Sequence, residues 1–152
     1  GVKNLIRVGS CGAYDPNLKL YDIILAIGAS TDSNYAAQYA LPGIYSATAS
    51  WELLSKAKKA ADENNIHTVV GNIVTSDVFY HDDTDSWKKW AKMGCLAAEM
   101  ETYALYCNAN RAGVNALTIL TVSDSIANHT ETTAEQREKG FKDMMKIALQ
   151  LA

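Results

Sequence analysis

The order of apolar segments along the chain predicts an α/β fold. Short apolar runs that suit buried strands alternate with longer segments whose apolar residues recur at helical spacing. With 152 residues, of which 48% are hydrophobic, the chain can form one domain with a substantial core. Carboxylates directly follow two of the apolar runs, and strand ends are where ligands bind in open α/β folds.

The first half of the chain predicts three strands and one helix. The strands are predicted at residues 5–8, at residues 23–27, and at residues 67–70 and 73–74 with Gly71 between the two pieces. The helix begins after Ser50, a typical N-cap residue, and ends near Asn64. Residues 30–49 are polar and rich in tyrosine, which predicts a long loop.

The second half predicts three helices and two strands. A short helix capped by Asp85 or Ser86 ends at Gly94, and a strand at residues 96–98 leads into a helix over residues 102–112. The last strand covers residues 117–122. The final helix follows a capping-box pattern in residues 132–136 and runs to about Leu151, with these side chains on one face: Phe141, Met144, Met145 and Ala148.

Composition excludes several classes of function. The net charge of −3, with both signs spread along the chain, argues against a surface for nucleic acid or an anionic membrane. No apolar run approaches the ~20 residues of a membrane span. The three cysteines, Cys11, Cys95 and Cys107, lack metal-ligand spacing and are typical of reduced thiols in a cytoplasmic protein. Because the first strand follows Gly1 so closely, we expect residues 1–152 to be one domain that lacks its N-terminal third.

Residues 7–12 read as a strand that runs into a turn of small residues. Glycines at such a turn let backbone N–H groups approach an anion, and Arg7 and Ser10 would add donors suited to phosphate. The alternative is an ordinary tight turn beside a surface arginine.

Glu99 and Glu101 flank Met100 at the end of an apolar run. On an extended segment the two carboxylates point the same way, whereas at a helix start they diverge. A carboxylate here could accept hydrogen bonds from the two hydroxyls of a vicinal diol such as ribose. The alternative is that both acids only stabilise the N-terminus of the next helix.

Asp124 follows the strongly apolar run of residues 117–122, where it could act as a proton donor or as a simple cap. Arg137, in the first turns of the last helix, could pair with it or lie in solvent. Phe79 and Tyr80 are adjacent aromatics before a polar loop, and they could stack on a planar base or pack in the core.

Taken together, the motifs resemble those of the bacterial-type, hexameric purine nucleoside phosphorylases. The matching segments occur in the family's order and span nearly the whole chain. They are GVKNLIRVGSCGA at 1–13, GASTDSN at 28–34, SDVFY at 76–80, EME at 99–101, TVSD at 121–124 and TTAEQR at 132–137. The resemblance implies a mixed central β-sheet flanked by helices in a three-layer α/β/α arrangement. It also implies an N-terminal segment before Gly1 that completes the phosphate site.

The resemblance assigns a role to each candidate residue. Asp124 protonates the purine and Arg137 assists it, and Arg7 and Ser10 bind phosphate. Glu101 binds the ribose hydroxyls with Met100 nearby, and the base lies against Phe79, Ala98 and Ser123. It further implies inorganic phosphate as co-substrate, no cofactor or metal, and a homo-oligomer, by resemblance a hexamer.

Two other kinds of function compete with purine phosphorolysis. One is a related enzyme, either a uridine phosphorylase or a nucleoside hydrolase that uses water. A uridine enzyme is expected to lack an acid at position 124, so Asp124 favours the purine activity. The other is a truncated, non-catalytic chain that binds nucleosides.

Overall fold

The structure is a computed structural model that describes the backbone of residues 1–151 and the side chains of residues 1–137 and 141–151. Its strands are β1 (Asn4–Ala13), β2 (Ile23–Thr31), β3 (Ala47–Thr48), β4 (Thr68–Thr75), β5 (Ala97–Glu99), β6 (Asn115–Ser125) and β7 (Thr130–Glu131). Its α-helices are α1 (Trp51–Glu63), α2 (Trp87–Lys92), α3 (Thr102–Ala112), α4 (Ala134–Gly140) and α5 (Lys142–Leu149), and a 3-10 helix covers Tyr35–Tyr39.

The strands form one mixed sheet in the order β3-β2-β4-β5-β1-β6-β7, which confirms the expected fold class. β1 runs parallel to β6 and antiparallel to β5, and β4 runs parallel to both β2 and β5. The sequence did not indicate that β2 also pairs antiparallel with β6, Ile23 with Thr121 and Ala26 with Thr118. Because of this additional pairing, five of the strands form a closed ring in the order β2, β4, β5, β1 and β6.

Alternation along the strands places helices on both faces of the sheet. In β2, Ile23 and Leu25 belong to a core that includes residues of α1 and α5. Ile24 and Ala26 belong to a second core built around the apolar side chains of α3. Because successive strand residues point to opposite faces, one strand serves both cores, and the layers are helix, sheet and helix.

β1 continues through the glycine segment, where the sequence predicted a turn. Gly9 pairs with Leu120 and Gly12 with Asp124, so the segment stays extended beside β6 up to Ala13. The prediction of a turn at residues 9–12 is therefore wrong. The long partner strand β6 supplies a continuous ladder that overrides the local preference of the glycines.

The final helix is also not continuous as predicted. It breaks at Phe141, which follows Gly140 and separates α4 from α5. The buried Phe141 ring joins the core against α1 and makes an edge contact with Tyr21, so packing favours the break. Met145, expected on the buried face, is exposed, and Ile147 is buried instead.

Most helix ends follow the predicted signals. Thr133 and Gln136 form the expected capping box, with Thr133 Oγ1 accepting from the Gln136 N–H at 3.2 Å. Gly113 ends α3 in the left-handed conformation with φ of 68°. Ser50 precedes α1, but its hydroxyl donates to Asn115 Oδ1 and does not accept a capping hydrogen bond from the first turn of the helix. In the described part of the chain no helix is both long and apolar enough to cross a membrane.

Tyr106 of α3 forms hydrogen bonds to both strands where the pairing between β2 and β6 ends. Its hydroxyl donates to the Ala26 carbonyl at 2.6 Å and accepts from the Thr118 N–H at 2.9 Å. Ala26 and Thr118 are register partners at the end of that ladder, so the phenol satisfies both buried backbone groups. Burial raises the pKa of Tyr106 to about 12 from its ordinary value of 10.

We expect Tyr106→Phe to lower the free energy of unfolding by about 1–3 kcal/mol, because two buried backbone groups lose their partner. The folded-state pKa is raised, so the hydroxyl's contribution is complete below pH 10 and is lost as the pH rises through about 12. Urea unfolding at a series of pH values measures both effects.

Tyr103→Phe is the matched control on the same helix, since the Tyr103 hydroxyl donates to the Tyr45 carbonyl in a loop at 3.2 Å and not to a backbone group of the sheet. It should cost less than Tyr106→Phe. A Tyr106→Phe protein as stable as the wild type would contradict the role of this hydroxyl.

Candidate functional site

A cavity of about 640 Å³ opens where β1, β5 and β6 lie side by side. Eight of the nine residues that the sequence singled out line this cavity: Arg7, Ser10, Phe79, Ala98, Met100, Glu101, Ser123 and Asp124. They come from β1, from the loop after β4, from β5 and the segment after it, and from the end of β6. The fold thus brings together motifs that are far apart in sequence.

Arg7 on β1 joins both carboxylates of the Glu99–Glu101 segment. Its Nη2 lies 3.3 Å from Glu99 Oε2 and also contacts Glu101 Oε2. The two carboxylates therefore converge on one guanidinium. Nη1 of Arg7 is buried and has no hydrogen-bond partner among the described residues.

Glu99 is one of the two acids that the sequence raised as candidates, but the resemblance assigned it no role. Its side chain is 2% exposed, and its carboxylate accepts from the Thr75 hydroxyl at 2.5 Å and from the Thr102 N–H at 3.0 Å. It also accepts from the Glu101 N–H at 3.1 Å. Glu99 thereby joins β4, the start of α3 and Arg7 of β1. The available signal was its position directly after the apolar run of residues 96–98.

Glu101 differs from Glu99 in exposure although both contact Arg7. Its side chain is 61% exposed, and its residue occupies the N-cap position of α3 without a side-chain capping bond. Its carboxylate therefore remains accessible from the cavity, whereas that of Glu99 is enclosed by protein donors.

Asp124 lies at the end of β6, half-buried, with its carboxylate beside β1. Ser123 Oγ is 2.7 Å from Asp124 Oδ1 and 3.3 Å from the Cys11 carbonyl. A hydroxyl has one proton, so the shorter distance indicates that it donates to Asp124. Ser123 thus orients the carboxylate rather than leaving it free to rotate.

Arg137 does not line the cavity, and no ion pair joins it to Asp124 among the described residues. Its Nη1 donates to the Thr132 carbonyl at 2.7 Å. The N–H and the hydroxyl of Thr132 both donate to the Ser123 carbonyl at 2.8 Å. The expected direct pairing is absent because the Thr132 carbonyl holds the Arg137 guanidinium, and among the described residues Arg137 is connected to Asp124 through Thr132 and Ser123.

The loop after β4 carries Phe79 and Tyr80, which are 73% and 89% exposed and pack edge to face with ring centroids 4.9 Å apart. The loop is fastened at its base by Asp32, which accepts from the Ser76 hydroxyl at 2.7 Å and from the Asp77 N–H at 2.9 Å. The register explains the contact, because Thr31 and Thr75 end the parallel pair β2 and β4. Sequence reasoning missed Asp32 and Ser76.

Cys11 lines the cavity, but its thiol is not activated as a nucleophile. Burial raises the pKa of its thiol, and the negative charges of Asp124 and Glu99 raise it further. The thiol therefore stays protonated and packs in the core, with Sγ 3.7 Å from the Thr121 carbonyl. Among the described residues, no group of three His, Cys, Asp or Glu side chains is arranged to hold a metal ion.

The amino-acid sequence of the chain matches a known family. The family model described as the phosphorylase superfamily matches residues 1–152. The chain belongs to the phosphorylase superfamily.

Individual relatives in this superfamily carry a more specific description. The chain is 54% identical over 152 residues to a purine nucleoside phosphorylase DeoD-type of Caldanaerobacter subterraneus subsp. tengcongensis. The matched region covers 100% of this chain and 66% of that relative. The chain is 55% identical over 152 residues to the protein of that description from Alkaliphilus metalliredigens, with 100% and 65% covered. The chain thus spans about two-thirds of the length of these curated relatives.

The different surroundings of the two glutamates lead to different expected costs. Glu99→Ala should lower the free energy of unfolding by about 3–5 kcal/mol, because it leaves several buried donors without their acceptor and removes the buried one of the two carboxylates that contact Arg7. Glu101→Ala is the matched control, with the same Arg7 partner but an exposed carboxylate, and should cost about 0–1 kcal/mol. Urea unfolding of both variants measures the difference, and equal costs would contradict the structural role of Glu99.

Proposed function

We propose that the complete natural protein is a purine nucleoside phosphorylase. It cleaves the N-glycosidic bond of purine ribonucleosides or deoxyribonucleosides with phosphate, giving the free base and the pentose 1-phosphate. The observation that carries the proposal is that Arg7, Glu101 and Asp124, from three different segments, line one cavity. The names of the relatives, which are purine nucleoside phosphorylases, support the same activity.

The ribose is proposed to bind at Glu101. Its exposed carboxylate can accept hydrogen bonds from both hydroxyls of the diol, and Met100 lies beside it at the cavity wall. Phe79, Ala98 and Ser123 are proposed to contact the base. The mobility expected of an exposed aromatic pair suits the closing of Phe79 over a planar ring.

Phosphate is proposed to bind at Arg7 and Ser10. The unpartnered Nη1 of Arg7 supports this, because a buried guanidinium N–H is costly unless an acceptor reaches it. Ser10 is exposed at the cavity and has a free hydroxyl to offer as a donor. No cofactor is needed for the reaction, since phosphate itself is the co-substrate.

Asp124 is proposed as the general acid. As the bond between C1′ and N9 breaks, its electron pair stays on the purine, and the Asp124 carboxyl delivers a proton to N7. A phosphate oxygen forms the new bond to C1′ and compensates the positive charge that develops on the sugar. Arg137 is proposed to assist Asp124, and the Thr132–Ser123 hydrogen bonds offer an indirect path for that effect.

Two further properties of the complete protein are proposed. A homo-oligomer, by resemblance a hexamer, would cover large apolar side chains that are exposed in this chain, including Ile44, Trp51, Met93 and Leu149. A cytoplasmic location agrees with Cys11, Cys95 and Cys107 all being free thiols.

We expect the complete protein to cleave inosine and adenosine only when phosphate is present. Asp124 donates to N7 whatever substituent position 6 carries, so both substrates should react. Chromatography of the products with and without phosphate measures this. Equal rates in both conditions would favour a nucleoside hydrolase, cleavage of uridine alone would favour a uridine phosphorylase, and binding without cleavage would favour a non-catalytic chain.

We expect Asp124→Asn to slow adenosine cleavage by about 10²–10⁴-fold, because asparagine keeps the shape of the side chain but cannot deliver a proton. A 7-methylpurine nucleoside already carries the positive charge on its leaving group, so its cleavage should fall much less. The ratio of kcat/KM for the two substrates separates proton transfer from binding. Equal losses on both substrates would make Asp124 a binding or structural residue.

A further inference from the structure

We propose that Gly9 and Gly12 are positioning residues. Because neither has a side chain, Gly9 leaves room for the guanidinium of Arg7 and Gly12 leaves room for the carboxylate of Asp124. Gly9 lies under the guanidinium of Arg7, and Gly12 lies under the carboxylate of Asp124. The inference rests on the proposed function, because it assigns these glycines to the phosphate end and the acid end of that site.

The Arg7 side chain lies flat along β1 over Gly9. A Cβ at Gly9 would be 2.4 Å from Arg7 Nη1 and 2.9 Å from Cζ, closer than real Cβ atoms come to any heavy atom. Arg7 and Gly9 are two residues apart on one strand and so share a face. The guanidinium, which contacts Glu99 and Glu101, therefore occupies the space that a side chain at Gly9 would fill.

Gly12 has the same relation to Asp124 across the sheet. The register pairs the two residues just after a shift at Cys11. A Cβ at Gly12 would be 2.7 Å from Asp124 Oδ2 and 3.0 Å from Ile126 Cδ1. Any larger residue at Gly12 would push the carboxylate away from β1, out of the position that the Ser123 hydroxyl helps to set.

Backbone conformation does not explain these two glycines. Within residues 1–151, the glycines with positive φ are Gly94 and Gly113, whereas Gly9 and Gly12 lie in an extended strand that other residues can adopt. The requirement for glycine at both positions is therefore steric, and in both cases the nearest obstacle is a charged side chain of the site.

The nature of the obstacle also separates function from folding. At both glycines the atoms that a Cβ would meet are ends of side chains, and none of the nearest atoms belongs to the backbone. A side-chain end can rotate away at little cost, so alanine should move Arg7 or Asp124 without unfolding the sheet. For Gly12→Ala the effect should therefore appear in catalysis rather than in stability, whereas Gly9→Ala should also lower the free energy of unfolding, because the buried Glu99 carboxylate loses its cation.

A double-mutant cycle in the complete protein tests the Gly9 part. We expect Gly9→Ala to lower kcat/KM for phosphate by about tenfold or more when Arg7 is present, and by less than about twofold in an Arg7→Ala background. If Gly9 acts only through Arg7, removing Arg7 removes its effect. Equal losses in both backgrounds would overturn the inference for Gly9.

The Gly12 part has its own readout. Gly12→Ala should slow adenosine cleavage more than cleavage of a 7-methylpurine nucleoside, because the displaced carboxylate affects only the substrate that needs a proton. Gly43→Ala is the control for both variants, since no heavy atom lies within 4 Å of the position of its Cβ. It should leave activity and the unfolding midpoint unchanged. An equal loss on both nucleosides would overturn the inference for Gly12.

Crystal structures of the variants keep the inference testable if activity is too low to measure. In Gly9→Ala the guanidinium should have left Glu99 and Glu101, and in Gly12→Ala the carboxylate should have turned away from β1. Unchanged positions would overturn the inference whatever the kinetics. A wild-type protein that does not cleave nucleosides would instead refute the proposed function, while the side-chain positions would still decide the role of the glycines.

Discussion

The buried carboxylate of Glu99 is the constraint around which the site is organised. A carboxylate taken out of water is costly unless donors and a positive charge surround it. Here the Thr75 hydroxyl, the N–H groups at the start of α3 and Arg7 meet that requirement. Since these donors come from β4, α3 and β1, the need to satisfy one buried charge holds three elements in a fixed relation. Because the Glu101 N–H donates to the Glu99 carboxylate, the position of Glu101 at the cavity wall also depends on Glu99.

The opposite wall of the cavity depends on a different network of neutral groups. The Ser123 hydroxyl donates to Asp124, and Thr132, in the segment before α4, donates to the Ser123 carbonyl. Two supports thus hold the charged groups of the site in place. One is the set of ionic contacts between Arg7 and the two glutamates, and the other is the set of hydrogen bonds around Ser123. Both supports meet at β1, whose small residues leave room for the Arg7 and Asp124 side chains.

Sequence reasoning succeeded where a local pattern has a single physical cause. The short apolar run of residues 23–27 located β2, and Gly113 located the end of α3, because each signal lies within or directly beside the element that it marks. The acids after apolar runs pointed in the same way to Glu99, Glu101 and Asp124, which line one cavity in the structure. Local patterns could not reveal that β6 keeps Gly9 and Gly12 extended, or that β2 pairs with β6, because these features depend on strands distant in sequence.

The remaining errors have the same origin. The capping box located the start of α4, but the break at Phe141 depends on a core formed with α1. The spacing of Arg137 from Asp124 gave no sign that the Thr132 carbonyl would hold the guanidinium. Asp32 was overlooked because its importance comes from the neighbouring end of β4, where Ser76 lies.

The charge of the cavity sets a condition on anion binding. Among the described residues that line it, Arg7 is the one formal cation, against the carboxylates of Asp83, Glu99, Glu101 and Asp124. Arg7 is already shared between two of these carboxylates, so this wall alone does not favour a phosphate dianion. Phosphate therefore needs further positive charge from outside this set of residues, or a rearrangement in which Arg7 exchanges a carboxylate for the anion. The rearrangement would couple phosphate binding to Glu101, the proposed ribose residue, because the anion and that carboxylate would compete for the same guanidinium.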